Sequence, residues 1–273
     1  LLASLFCEKG FKVYFLGNKR NKNLNKLNLF NLDSPYYGKF DFSPKNNINL
    51  ETKFDLVFIT VKTPKLREAL EMYAKVLRKD TIVISLMNGL WDRKIISDNF
   101  DSKLVIGTIG KVEVIRENNS ILHKSCNKPK IEIAPNSSCG NFSLNEIKEL
   151  INNIEVNCEV FLNENFVIWR KLVRLSAVAT MTSITQKSIG YVLSNREKRL
   201  ILEGLVKELC QIAKTQGIII SAKEVVNEIL GLPMNLKTSM QRDLKDNKIS
   251  EIESILISPI CLGHKEGLIL PKM

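Results

Sequence analysis

The apolar positions of the chain fall into two textures. In the first half, short continuous apolar runs alternate with stretches at helical spacing. Phe54–Val61 (FDLVFITV), Thr81–Leu86 (TIVISL) and Lys103–Ile109 (KLVIGTI) are nearly all apolar, as parallel strands buried on both faces are. Thr63–Leu77 carries apolar residues at Leu66, Ala69, Leu70, Tyr73, Ala74 and Leu77. That is helical spacing, and Pro64 falls in the first turn, where its missing N–H costs nothing. Leu1–Lys9 predicts a helix stopped by Gly10, and Lys12–Leu16 predicts a strand. A Met87-Asn88-Gly89 turn follows the run ending at Leu86, with a short helix expected to reach Phe100. Lys111–Arg116, Ser120–Lys124 and Lys130–Ala134 read as antiparallel edge strands, with Glu117-Asn118-Asn119 as a hairpin turn. The Asn- and Lys-rich stretch 18–31 reads as a loop.

From about Asn163 only the helical texture remains. Glu164–Thr182, Arg196–Gln216, Ala222–Leu230, Leu236–Asp246 and Ser250–Glu266 predict helices, punctuated by Gly217, Gly231-Leu232-Pro233 and Gly267. Strands alternating with helices, then helices alone, predict an α/β, Rossmann-like doubly wound sheet followed by an all-helical C-terminal domain. The expected domains are 1–158 and 159–273.

Composition narrows the function classes. The 273 residues are 44% hydrophobic and 25% charged, as in an ordinary globular protein. No window of 18 uninterrupted apolar residues predicts a membrane span. The net charge of +11 comes mostly from Lys dispersed among Asn and Ile. Its densest run, Asn18–Asn23, has no interleaved aromatic residues for base stacking, so no nucleic-acid partner is expected. The six cysteines lie far apart without a CxxC pair, and only His123 and His264 could join them. No metal site is expected, and a reduced, cytoplasmic compartment is the default. The sequence contains no HExxH, GxSxG, Walker or GxGxxG motif.

Ligands of doubly wound sheets bind at the carboxyl ends of the strands. Lys62 directly follows the run 54–61, and Asn88-Gly89 follows 81–86. On position alone, Lys62 reads equally as a solvated loop cation, and Asn88-Gly89 as a turn needing positive φ. In the helical half, Trp169-Arg170-Lys171-Leu172 sets a Lys into an apolar helix. There it reads either as a general acid tuned by burial or as a snorkelling surface Lys. Ser239 and Asp243 are four apart on one helix face, and Glu251 follows. Alone, that segment is an ordinary amphipathic helix.

Together these pieces resemble the ketopantoate reductase family. Val61-Lys62-Thr63 before an amphipathic helix is similar to its V-K-x segment, and Asn88-Gly89 to its N-G turn. Trp169-Arg170-Lys171-Leu172 resembles its W-x-K-L, which carries the catalytic lysine. Thr238-Ser239-Met240 with Asp243 and Glu251 resembles its S-S-M-x-x-D…E pattern. The resemblance covers nearly the whole chain. It implies that the chain starts inside the family's first helix, past a first strand and glycine loop, and stops before a last helix. A partial or degenerate copy is therefore expected. Two departures stand out: Leu175 and Ala179 occupy places, four and eight residues after the Lys, where the family often has Asn.

The resemblance implies reduction of 2-dehydropantoate to pantoate by NADPH, bound across the cleft between the domains. Lys171 is then the general acid, with Glu251 on the new hydroxyl. Asn88, Lys62 and Ser239 are the implied substrate contacts. Asn88 and Lys62 are implied on the cofactor as well, with Lys19 and Arg20 near its 2′-phosphate. Asp243 is implied as a support for Ser239 or Lys171. The implied partners are a small 2-keto acid and, as a homodimer, a second copy of the chain. A reductase of another 2-keto acid and a truncated, non-catalytic homologue are the alternatives.

Overall fold

The computed structural model describes residues 1–16, 29–45, 52–74, 76–91, 94–97, 103–136 and 143–273. The chain packs as two compact units. The first holds Leu1–Ile59, Leu66–Leu86 and Lys94–Glu164, and the second holds Thr60–Lys65, Met87–Arg93 and Asn165–Met273.

The first unit contains α1 (Leu2–Glu8), β1 (Phe30–Ser34), β2 (Gly38–Phe42), β3 (Leu56–Ile59), α2 (Leu66–Tyr73), β4 (Ile82–Ser85) and α3 (Lys94–Ser97). It continues with β5 (Lys103–Gly110), β6 (Val114–Glu117), β7 (Ser120–His123), β8 (Lys130–Pro135), α4 (Asn145–Asn153) and β9 (Asn157–Val160). Its larger sheet has the order β3-β4-β5-β8-β9. The three apolar runs form β3, β4 and β5 and pair in parallel, with Leu56 opposite Ile82 and Ile82 opposite Lys103. β8 runs antiparallel to β5 and parallel to β9. α2 buries the stripe Leu66, Ala69, Leu70 and Tyr73 that the spacing predicts. The sheet's Ile84, Val105, Ile131 and Ile133 form one core with Ile147 and Ile151 of α4. This is a Rossmann-like α/β domain.

The smaller sheet, β2-β1-β7-β6, corrects several expectations. Phe30 and Asn31 are strand, not loop: β1 pairs antiparallel with β2 and parallel with β7. A separate core of Phe30, Leu32, Phe42 and Ile121 drives this pairing. The hairpin β6–β7 forms as expected, but in this sheet rather than at the edge of the larger one. β8 is no edge either, because β9 covers it. Lys12–Leu16 shortens to a single parallel bridge between Tyr14 and Lys45.

The second unit is helical apart from its two strand-end segments. It contains α5 (Glu164–Thr185), α6 (Ile189–Ser194), α7 (Arg196–Thr215), α8 (Ala222–Leu230), α9 (Ser239–Lys245), a π-turn at Glu253–Ile257 and α10 (Ser258–Lys265). Side-chain caps set three starts: Asn195 receives the N–H of Lys198, Ser221 that of Glu224, and Thr238 that of Gln241. Thr238 Oγ1 also meets Thr182 Oγ1 at 3.0 Å, which ties the start of α9 to α5. The helix expected over Leu236–Asp246 therefore begins only at Ser239, and the one expected over Ser250–Glu266 is interrupted by the π-turn. No helix of the described residues is long and apolar enough to cross a membrane.

Candidate active site

The second unit gathers two strand-end segments and two helical segments around one polar cluster. Thr60–Lys65 leaves the carboxyl end of β3, and Met87–Arg93 follows β4. These are the positions where α/β sheets present ligand contacts. Lys171, in the second turn of α5, donates from Nζ to Asn88 Oδ1 at 2.7 Å. The same amide donates from Nδ2 to Glu251 Oε2 at 3.1 Å. Its carbonyl thus faces the cation and its N–H the carboxylate, so its partners fix how it is turned.

Glu251 is only 7% exposed. Burial pushes its carboxyl above the usual range. The Asn88 hydrogen bond and the positive charges of Lys171 and Lys62 oppose that rise without cancelling it, while Asp243 adds to it. Lys62 Nζ lies 2.8 Å from Asp243 Oδ2 and donates to the carbonyl of Ile249 at 2.8 Å. Lys62 and Asp243 thereby join the strand-end segment to the end of α9 and the loop leading to Glu251.

A second layer lies beneath. Thr63 Oγ1 donates to Ser254 Oγ at 3.2 Å, and that hydroxyl donates to the Glu251 carbonyl at 3.2 Å. The Leu90 N–H donates to the Ser254 carbonyl at 2.7 Å. Gly89 has φ +82°, and a Cβ there would clash with the Ser254 carbonyl oxygen. Both conditions call for glycine. Neither Thr63 nor Ser254 carries a sequence signal for this role.

The structure therefore brings Lys171, Asn88 and Glu251 into one hydrogen-bonded run, with Lys62 tied to Asp243 beside it. Asp243 pairs with Lys62, and Ser239 is exposed at the start of α9, outside the run. Lys19 and Arg20 lie outside the described residues. The face of α5 beyond Lys171 is apolar. Ala179 is fully buried against Met240 and Ile255, with Leu175 and Ile252 packed on that cluster. No group of His, Cys, Asp and Glu among the described residues could hold a metal ion.

The family described as Ketopantoate reductase PanE/ApbA matches residues 1–137, and its C-terminal part, Ketopantoate reductase PanE/ApbA C terminal, matches 165–273. A 2-dehydropantoate 2-reductase of Pyrococcus horikoshii is 26% identical over 260 residues, covering 93% of this chain and 84% of its own. Two solved structures share the fold. The 2-dehydropantoate 2-reductase of Geobacter metallireducens GS-15 superposes with a TM-score of 0.85 at 20% identity, over 99% of this chain and 91% of its own. D-mandelate dehydrogenase, with NADH and anilino(oxo)acetate, superposes with a TM-score of 0.84 at 17% identity, over 99% and 89%.

Proposed function

Because the chain belongs to the ketopantoate reductase family and is an oxidoreductase of the 2-dehydropantoate 2-reductase type, we propose that it reduces 2-dehydropantoate to pantoate with NADPH, Lys171 acting as the acid. The observation that carries this reading is the run Lys171–Asn88–Glu251, whose Asn88 belongs to the segment that follows β4 in the chain. Ketone reduction builds negative charge on one oxygen, and a positioned ammonium both stabilises that charge and gives it a proton. Asn88 holds the Lys171 ammonium in place. The Glu251 carboxylate accepts from the hydroxyl that forms and orients the substrate. Lys62 offers a positive charge for the substrate carboxylate, and Ser239 is a further substrate contact.

The residues present fit a dinucleotide. Asn88 and Lys62 each have an N–H beyond those spent on Glu251, Asp243 and Ile249. A bound reduced nicotinamide supplies the hydride. Lys19 and Arg20 are assigned to the 2′-phosphate, from their place after the expected second strand. Residues 1–158 are assigned to the cofactor and 159–273 to the substrate. We place the protein in the cytoplasm, in keeping with the free thiols of Cys7, Cys126, Cys158, Cys210 and Cys261.

A second reading, reduction of a less polar 2-keto acid, is favoured by the apolar wall that Leu175, partly exposed one turn beyond Lys171, would offer. Each hydrogen bond to a charged substrate group that such a wall fails to make costs about 1.5–3 kcal/mol. The test is a panel of 2-keto acids, from 2-dehydropantoate to aryl and branched alkyl members, assayed with NADPH and with NADH. Highest kcat/KM for 2-dehydropantoate with NADPH supports the first reading. Preference for an apolar member moves the assignment to the second. A folded protein that turns over none of them, with either cofactor, refutes both.

A further inference from the structure

The π-turn beside Glu251 gives one backbone carbonyl an unusual partner. Over Glu253–Ile257 the hydrogen bonds step five residues, and the Ser258 N–H reaches the Glu253 carbonyl. The next bond of that series would run from residue 259 to the Ser254 carbonyl. Residue 259 is proline, which has no N–H. Ser254 is 1% exposed, so a carbonyl left without a donor there would be costly. The Leu90 N–H fills the place, at 2.7 Å. Leu90 is two residues from Asn88, and the intervening Gly89 has no side chain to hold the two backbones apart.

We propose that Pro259 and Ser254 are positioning residues for the reduction. By leaving the Ser254 carbonyl open, Pro259 lets the Asn88-Gly89-Leu90 turn dock on the helical segment that carries Glu251. That bond sets the Asn88 amide between Glu251 and Lys171. The Ser254 hydroxyl completes the joint, linking Thr63 on one side to the Glu251 carbonyl on the other. This rests on the reading of Lys171, Asn88 and Glu251 as the reacting set. It adds that their spacing is fixed from the backbone, by residues that touch no substrate.

The test is Pro259→Ala, with Gly89→Ala as a second variant and Lys171→Ala run alongside. Alanine at 259 restores an N–H that competes for the Ser254 carbonyl, and it suits a helix at least as well as proline, so folding is retained. Displacements of about 1 Å in such sites cost up to ~10²-fold. The expected result is a roughly ten- to hundredfold lower kcat in Pro259→Ala. Its acid limb moves to higher pH, because Glu251 loses part of the Asn88 hydrogen bond that favours its ionised form. Faster amide hydrogen exchange at Leu90 is expected in the same variant. Gly89→Ala, which puts a Cβ against the Ser254 oxygen, is expected to do the same or worse. Wild-type kcat in Pro259→Ala, or a lower kcat with an unmoved acid limb and unchanged Leu90 exchange, overturns the proposal. If Lys171→Ala also keeps full activity, it is the underlying reading that fails.

Discussion

Asn88 and Glu251 are joined by a 3.1 Å hydrogen bond from side-chain amide to carboxylate, although 163 residues separate them in the chain. The bond opposes the rise in the Glu251 pKa that burial causes. Asn88→Asp exchanges the donor for a second carboxylate. Like charges disfavour joint ionisation, so the Glu251 carboxyl is expected to rise further. In the pH profile of kcat, the acid limb of Asn88→Asp should lie above that of the wild type. An acid limb at or below the wild-type position would show that Asn88 does not govern this carboxylate.

The raised pKa of Glu251 also has a sign for stability. Its folded value lies above the ordinary 4.5, so the fold favours the protonated form. The stabilisation is fully present below about pH 4.5 and is lost as pH rises through the folded value. Ionised Glu251 is therefore a cost near neutrality, one that Glu251→Gln removes. This variant is expected to melt at a higher temperature than the wild type at pH 8, with the gap closing below pH 4.5, while its kcat falls. Thermal melts at the two pH values check this; a lower melting temperature at pH 8 would contradict it.

The apolar cluster makes its own forecast. Ala179 is fully buried against Met240 and Ile255. Asparagine there adds volume to a filled core and buries an amide with no partner assigned to it. Overpacking alone costs about 1–3 kcal/mol, and an unsatisfied amide about 1–3 kcal/mol more. Ala179→Asn is expected to lower the denaturation midpoint clearly without raising activity on 2-dehydropantoate. Leu175→Asn, on the partly exposed rim, is expected to cost less. Equal stability of the two variants would mean that the face of α5 beyond Lys171 is open rather than packed.

Much of this was legible in the residues. β3, β4 and β5 announce themselves as largely apolar runs because β4 and the middle of β5 are buried on both faces and β3 is half-buried on its second face, and α2 because its stripe keeps helical spacing. Lys171, Asn88 and Glu251 stand out in the sequence only through resemblance to the family's motifs, each of which is an ordinary turn or helix when read alone. The smaller sheet was hidden. β1 and β2 are five residues each with mixed patterns, and β1 finds its parallel partner β7 only after a long stretch of intervening chain. Ser34 and His123, 2.8 Å apart and buried, show how tertiary that pairing is. Ser254 was invisible for a related reason. Its role comes from a carbonyl that Pro259 leaves open and from the close approach of Gly89, neither of which any side-chain pattern records. Ala179 shows the converse. Helical spacing puts it on the face of Lys171, but Met240 and Ile255, distant in sequence, cover it.

Lys171 as the proton donor of a ketone reduction is put to the test by one comparison. kcat for 2-dehydropantoate is measured for the wild type and Lys171→Ala at saturating NADPH, with thermal melts of both. Loss of a positioned general acid lowers kcat by about 10²–10⁴-fold, and alanine keeps the helix. A fall in that range with matching melts is expected. A folded Lys171→Ala protein with kcat near the wild-type value would contradict it.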